Sequence, residues 1–185
     1  MTVPTDLDRR FRESAARSGL LDVAYDLTDS PVGKLLVATT ERGVCRIAYD
    51  PEADVESLAR AFGARVLRAP NALDSVKRQL DEYFEGRRTG FELEADLSPL
   101  PEFQRRVLDE LQRVGFGEVT TYGKLAARIG APRAARAVGG ALNRNPVAIV
   151  VPCHRVVGAS GSLVGYAGGL ERKRALLELE HVIAD

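Results

Sequence analysis

The sequence predicts an α/β protein of the α+β kind: a small β-meander domain packed with helices, then a domain built around a helix-turn-helix. Three observations predict it. Short apolar runs of β character, cut by tight turns, fill the first part of the chain. Helical periodicity fills the last part. Between them Pro99 and Pro101 flank Leu100 in a polar, irregular stretch. The 185 residues allow one ordinary domain or two small ones.

The elements follow in order. Residues 1–20 are polar and charged and read as a tail or a short helix. Residues 21–27, 35–40 and 44–49 are apolar runs separated by Ser30, Pro31 and Gly33 and by the Glu41-Arg42-Gly43 corner, as in an antiparallel meander. Helical spacing appears in residues 55–62, and again at Leu73, Val76, Leu80 and Phe84. The domain boundary is placed within residues 91–101, giving domains over 21–96 and 97–185. Pro101 suits a first helical turn, and Phe103, Val107, Leu108 and Leu111 give that helix an apolar face.

Tyr122, Leu125, Ala126 and Ile129 fall at i, i+3, i+4 and i+7, and Gly130 stops that helix. Pro132 opens the next. There Ala134, Ala135, Val138, Ala141 and Leu142 share one face, while Arg133, Arg136, Ala137, Gly140 and Arg144 share the other. This is helix-turn-helix patterning with a basic face on the second helix. Gly139 and Gly140 each cost ~1 kcal/mol relative to Ala inside a helix. Close approach to DNA or to another backbone would offset that, and so would tight packing on the first helix. Residues 147–151 form a buried apolar run ending at Pro152-Cys153-His154-Arg155. A small-residue loop follows, then a short strand or turn over residues 163–166, and an amphipathic helix over 170–182.

Composition narrows the function. Hydrophobic residues make up 45% and charged residues 28%, an ordinary globular balance that excludes a mainly disordered chain. No apolar run approaches the ~20 residues that span a bilayer, and no signal-like start is present, so a reduced, cytoplasmic setting is expected. Two cysteines and two histidines are a poor basis for a disulfide framework or a zinc site. Net charge is zero, yet Val119 to Leu170 contains no acidic residue and six basic ones: Lys124, Arg128, Arg133, Arg136, Arg144 and Arg155. Such a stretch suits a polyanion partner, or else a solvated basic face balanced by acids from elsewhere in the fold.

Cys153 is the candidate for chemistry. A thiolate is the reactive form, and a nearby imidazole, Arg or helix N-terminus lowers a thiol's pKa. His154 and Arg155 are its neighbours, but adjacent residues on an extended strand point apart, so contact requires a turn or a bridging water. The alternative is a buried, inert cysteine. Cys45, in a strand-like run with no His nearby, reads as packing.

The run Val151-Pro152-Cys153-His154-Arg155-Val156-Val157 resembles the acceptor-cysteine motif of the O6-alkylguanine-DNA alkyltransferases. Gly117-Glu118-Val119-Thr120-Thr121-Tyr122-Gly123 resembles that family's entry to its helix-turn-helix, and Arg136-Ala137-Val138-Gly139-Gly140-Ala141 its recognition helix. Asn145-Pro146 is similar to its turn before the active-site strand, and Gly165-Tyr166-Ala167-Gly168-Gly169-Leu170 with Glu180 completes the set. The resemblance is tight from about Leu97 to Glu180 and weak in the N-terminal half.

The resemblance implies a ribonuclease-H-like N-terminal domain and a winged helix-turn-helix-like C-terminal domain. It implies that Cys153 takes an alkyl group from O6 of guanine (thymine O4 stays open), with His154 as base through a water and Glu180 orienting the imidazole. Asn145 would hold the turn, and Tyr122 would serve the guanine ring as charge develops. Arg136 would replace the flipped base in the duplex. Arg133, Ala137, Gly139, Gly140, Arg144 and Thr121 would form the rest of the DNA surface, in the minor groove. Tyr166, Ala167, Val156 and Pro152 would line the substrate pocket. The expected partner is double-stranded DNA containing O6-alkylguanine, bound by a monomer, with cooperativity open. No cofactor, metal or membrane is called for. Each chain would act once, because a thioether carries no activated leaving group.

Some relatives carry a hydroxyl residue where this chain has Ala167 and Asn where it has Gly165, which bears on alkyl preference. Zinc ligands found in the N-terminal domain of some relatives have no counterpart here. A helix-turn-helix regulator would leave the Pro-Cys-His-Arg run unexplained, and a Cys-His hydrolase would leave the acid-free basic stretch unexplained. A non-catalytic sensor of alkylated DNA would lack Cys153.

Overall fold

The computed structural model describes residues 22–62 and 65–183. The expected tail, residues 1–20, and the first residue of the expected first strand lie outside them. Strands β1 (Val23–Thr28), β2 (Leu35–Thr40) and β3 (Gly43–Ala48) form the expected antiparallel meander. Helix α1 (Pro51–Phe62) leads to β4 (Val66–Arg68), which the sequence reading missed. It pairs parallel with β1 and gives the sheet the order β3-β2-β1-β4.

Leu35, Leu36, Val37 and Ala38 are all buried, so the central strand β2 is covered on both faces. Alternation divides them. Leu36 and Ala38 join Val23, Cys45 and Leu58 of α1 in a small cluster. Leu35 and Val37 face the main core, with Val44 and Ile47. That face meets a 3-10 turn (Pro70–Leu73) and α2 (Asp74–Phe84). Val76, Leu80 and Tyr83 of α2 are buried, whereas Phe84 is only partly so.

Helix α3 (Glu102–Leu111) buries Val107, Leu108 and Leu111 as expected, with Gln104 rather than Phe103 completing the face. Gln104 donates from Nε2 to the Arg144 carbonyl at 2.8 Å. Strand β5 (Thr120–Thr121) leads into α4 (Tyr122–Arg128), and Gly130, at φ 73°, ends the turn after it. Helix α5 starts at Ala135, not at Pro132, and runs to Asn143. Arg133 therefore sits in the preceding turn. A 3-10 turn (Cys153–Arg155), β6 (Val156–Val157, parallel to β5) and α6 (Leu170–Leu179) complete the chain. Residues 163–166 form no strand.

The outer edge of β3 ties the halves together. Val44 exchanges backbone hydrogen bonds with Glu94 and Asp96, both 2.8 Å. The Ile47 N–H donates to the Pro146 carbonyl at 2.9 Å, and the Ala148 N–H to the Ile47 carbonyl at 3.2 Å. Gly43, at φ 134°, has no room for a side chain: a Cβ would lie 2.3 Å from the Glu94 carbonyl oxygen. One core runs through both halves, from Leu35 and Ile47 through Leu80 and Leu108 to Val138 and Val151.

Candidate active site

Residues 147–151, expected as a strand, instead form a tight coil. The Val151 N–H donates to the Val147 carbonyl at 2.9 Å, and Ile149 holds φ 72°, which is strained for a β-branched residue. Asn145 stabilises the coil from within. Its Oδ1 accepts from the Val147 N–H at 3.1 Å, and its Nδ2 donates to the Val151 carbonyl at 2.8 Å. The same Nδ2 lies 3.1 Å from Cys153 Sγ. Cys153, 7% exposed, then opens a 3-10 turn, so it and His154 do not alternate as on a strand. Burial raises the Cys153 thiol pKa, opposed by the Asn145 hydrogen bond and the nearby Lys173 charge.

His154 is fully buried and its Nε2 lies 2.9 Å from Glu180 Oε1. Glu180 follows α6 and is gripped by three donors besides the imidazole. Arg155 donates from Nε to Oε2 and from Nη2 to Oε1, both 2.8 Å, and Tyr83 donates its hydroxyl to Oε1 at 2.7 Å. Burial by itself would raise the carboxyl, but the hydrogen bonds from His154 and Arg155 outweigh it and hold Glu180 at about 2. Burial pushes His154 below its ordinary value despite Glu180. The resulting neutral imidazole donates its Nε2–H as a hydrogen bond to the anionic carboxylate, which leaves the lone pair on Nδ1. Nδ1 is buried and makes no hydrogen bond to the protein among the described residues.

A cavity of about 500 Å³ opens above Cys153 against α5, bordered by Tyr122, Arg136, Gly139, Gly140, Tyr166 and Ala167. Tyr122 begins α4, and its hydroxyl donates to the carbonyls of Val164 and Gly165 at 3.2 and 3.3 Å. The same two carbonyls accept from fully buried Lys173, at 2.8 and 3.5 Å, which also donates to the Val156 carbonyl at 2.6 Å. Burial lowers Lys173 to about 8. Thr121 caps α4, its Oγ1 accepting from the Lys124 N–H at 3.2 Å. Lys124, Arg128, Arg133, Arg136, Ala137 and Arg144 are exposed on the helix-turn-helix side.

Three expectations need revision. Arg155 is not part of an exposed basic face: it is buried in the Glu180 ion pair. Val156 is buried in β6, paired with Thr120, and borders neither cavity at Cys153. Pro152 faces a different cavity, beside Phe91 and Arg155, because the 3-10 turn directs Cys153 one way and its predecessor the other. Tyr83, Arg155 and Lys173 were missed in these roles. Tyr83 lies three residues after Leu80, as periodic as Phe84, so its spacing was visible but its partner was not. Among the described residues no cluster of metal-binding side chains occurs, and no helix is long and apolar enough to cross a membrane.

Two family models match: "6-O-methylguanine DNA methyltransferase, ribonuclease-like domain" over residues 23–97, and the DNA binding domain of the same description over 102–182. A methylated-DNA--protein-cysteine methyltransferase of Mycolicibacterium paratuberculosis is 45% identical, the alignment covering 85% of this chain and 92% of the relative. One of the same name from Methanosarcina acetivorans is 40% identical, over 84% and 97%. The crystal structure of Mycobacterium tuberculosis OGT in complex with DNA superposes with a TM-score of 0.76 at 43% identity, covering 85% of this chain and 92% of that one.

Proposed function

The chain belongs to the 6-O-methylguanine DNA methyltransferase family, and from that premise we propose that Cys153 Sγ is its alkyl acceptor. The protein repairs alkylated DNA by transferring the alkyl group to a cysteine, the activity of a methylated-DNA--protein-cysteine methyltransferase. Residues 21–96 form the supporting unit in this reading, and residues 97–185 carry DNA binding and chemistry.

The observation that carries the assignment is the buried chain of contacts beneath the α5 cavity: Asn145 on the Cys153 sulfur, and His154 on a Glu180 held anionic by Arg155 and the imidazole and also bonded by Tyr83. His154 Nδ1, reached through a water, takes the thiol proton. The Sγ–C bond forms as the O6–C bond breaks, and guanine keeps the electron pair. The proton lost by sulfur is balanced by one gained on the guanine ring. Tyr122 supplies a hydrogen bond or proton there, exchanging the carbonyls of Val164 and Gly165 for the base. Lys173 keeps hold of those carbonyls.

Arg136 projects from the exposed face of α5 beside the cavity and fills the stack vacated by the flipped base. Ala137, Gly139 and Gly140 let that helix approach the minor groove, and Arg133, Arg144 and Thr121 flank it. Tyr166 and the backbone at Ala167 close over the base. The thioether product is stable, so each molecule acts once, on nucleoid DNA in the cytoplasm. Incubation with a duplex containing O6-methylguanine is expected to add one methyl, about 14 Da by intact mass. Cys153→Ala should abolish the gain. A methyl mapped to Cys45 would refute the assignment.

A further inference from the structure

Cys153 borders two cavities, not one. Besides the space under α5, a cavity of about 390 Å³ lies on the side of the N-terminal sheet, bordered by Ile47, Tyr49, Ala148, Cys153, Tyr166 and Gly168. Tyr166 and Ala167 stand at the junction, since they border both. A base served by Tyr122 and Arg136 occupies the α5 side, with its O6 substituent directed at the sulfur. A methyl group ends there. A larger substituent must continue past the sulfur, and the space that continues is walled by the end of β3.

That wall is built tightly. The Tyr49 and Tyr166 hydroxyls are 2.7 Å apart, and their rings meet edge-to-face with centroids 6.1 Å apart. The Arg172 guanidinium lies 4.9 Å from the Tyr49 ring centroid, and it donates to the carbonyls of Val32 and Gly168 at 2.7 and 2.8 Å. A Cβ at Gly168 would lie 2.6 Å from the Tyr49 ring and 2.7 Å from that of Tyr166, so both rings close over this glycine. Tyr49 is thus fixed by a hydrogen bond, a cation over its ring and the backbone beneath it. Ile47, Ala148 and the two aromatic rings form the apolar part of a lining that also includes Arg46, Asp50, Asn143, Arg144 and Asn145.

We propose that Tyr49, contributed by the N-terminal unit, is a specificity-determining residue that limits the size of the O6 substituent this cavity admits. The proposal rests on the alkyl-transfer reading above and adds a role for the N-terminal unit in it. An apolar wall residue such as the Tyr49 ring discriminates by volume: each methylene is worth about 10–200-fold.

The test compares single-turnover transfer from one duplex sequence carrying either O6-methylguanine or O6-benzylguanine, read by intact mass. Tyr49→Ala is expected to raise the benzyl-to-methyl rate ratio by about tenfold or more, and Tyr49→Phe, which keeps the ring, to hold it within about twofold. If the Ala variant does not fold, Tyr49→Leu takes its place with the same expected direction. A folded Ala or Leu variant with an unchanged or lowered ratio overturns the proposal. Absence of any alkyl on wild-type Cys153 from either duplex would instead overturn the alkyl-transfer reading, and this one with it.

Discussion

Glu180 concentrates more polar contacts than any single function of a helix-end carboxylate needs: an imidazole, two guanidinium nitrogens and a phenol converge on it. The arrangement separates charge neutralisation from tautomer control. The hydrogen bonds from His154 and Arg155 keep the carboxylate ionised, burial keeps His154 neutral despite that charge, and the carboxylate orients the ring with Nδ1 unprotonated. Glu180→Gln should slow methyl transfer at neutral pH by about a hundredfold or more, in the range general acid–base groups contribute. It should also move the rise in rate to higher pH, because the thiol must then ionise without its base. His154→Ala combined with Glu180→Gln should cost little more than the worse single change, since both act on one proton. Single-turnover rates across pH on variants of native circular dichroism check this. Additive losses would show that Glu180 serves another group. Of this site, the sequence displayed Cys153, His154 and Glu180 through motif resemblance. Arg155 was visible only as one more basic residue, because an arginine's burial depends on a partner 25 residues away.

At the scale of elements, α5 decides between two explanations for its glycine pair. Packing does not require them. A Cβ at Gly139 would sit 3.6 Å from the Tyr122 ring, an ordinary contact, and one at Gly140 would meet only the flexible Arg144 guanidinium at 3.7 Å. Packing in the free protein thus gives no reason for two poor helix formers, and close approach to DNA is the reason we propose. Gly139→Ala and Gly140→Ala should each stabilise the free protein by ~1 kcal/mol. Each should also weaken binding to duplex, because a methyl would stand between helix and sugars. Thermal melts and duplex titrations measure the two effects, and a drop in stability would return the explanation to packing. The helices themselves were legible because their apolar spacing repeats over several turns. The segment before Cys153 was not: an apolar run reads as a strand unless one knows that Asn145 folds back onto Val147 and Val151.

Across the whole molecule, the site depends on contacts no local pattern records. The edge of β3 holds the Pro146–Ala148 backbone, α2 delivers Tyr83, and the N-terminal sheet presents Tyr49 to the loop of Tyr166. β4 went unread because three residues carry too little periodicity to separate a strand from a linker. These long-range contacts make the site part of the fold's stability, and acid should expose that. Burial alone would raise the carboxyls of Asp26 and Asp96, but hydrogen bonds from Lys77 and Arg68, and from Ser98 and Thr40, hold both below their ordinary value. Glu180 falls from 4.5 to about 2. Below its unfolded value the unfolded chain takes up a proton that folded Glu180 refuses. Stability present above pH 4.5 is therefore lost as pH falls towards 2, on the order of 3 kcal/mol from this residue. His154 has the same sign at higher pH. Burial depresses its folded pKa, so below 6.5 protonation favours the unfolded chain. Thermal midpoints recorded from pH 8 to pH 2 should fall gently below 6.5 and steeply below 4.5. Glu180→Gln should start less stable, with Arg155 left unpaired, yet lose less between pH 4.5 and 2. If the variant and the wild type fell in parallel through that window, the acid lability would belong to Asp26 and Asp96, and the Glu180 cluster would not be the acid-sensitive point of the fold.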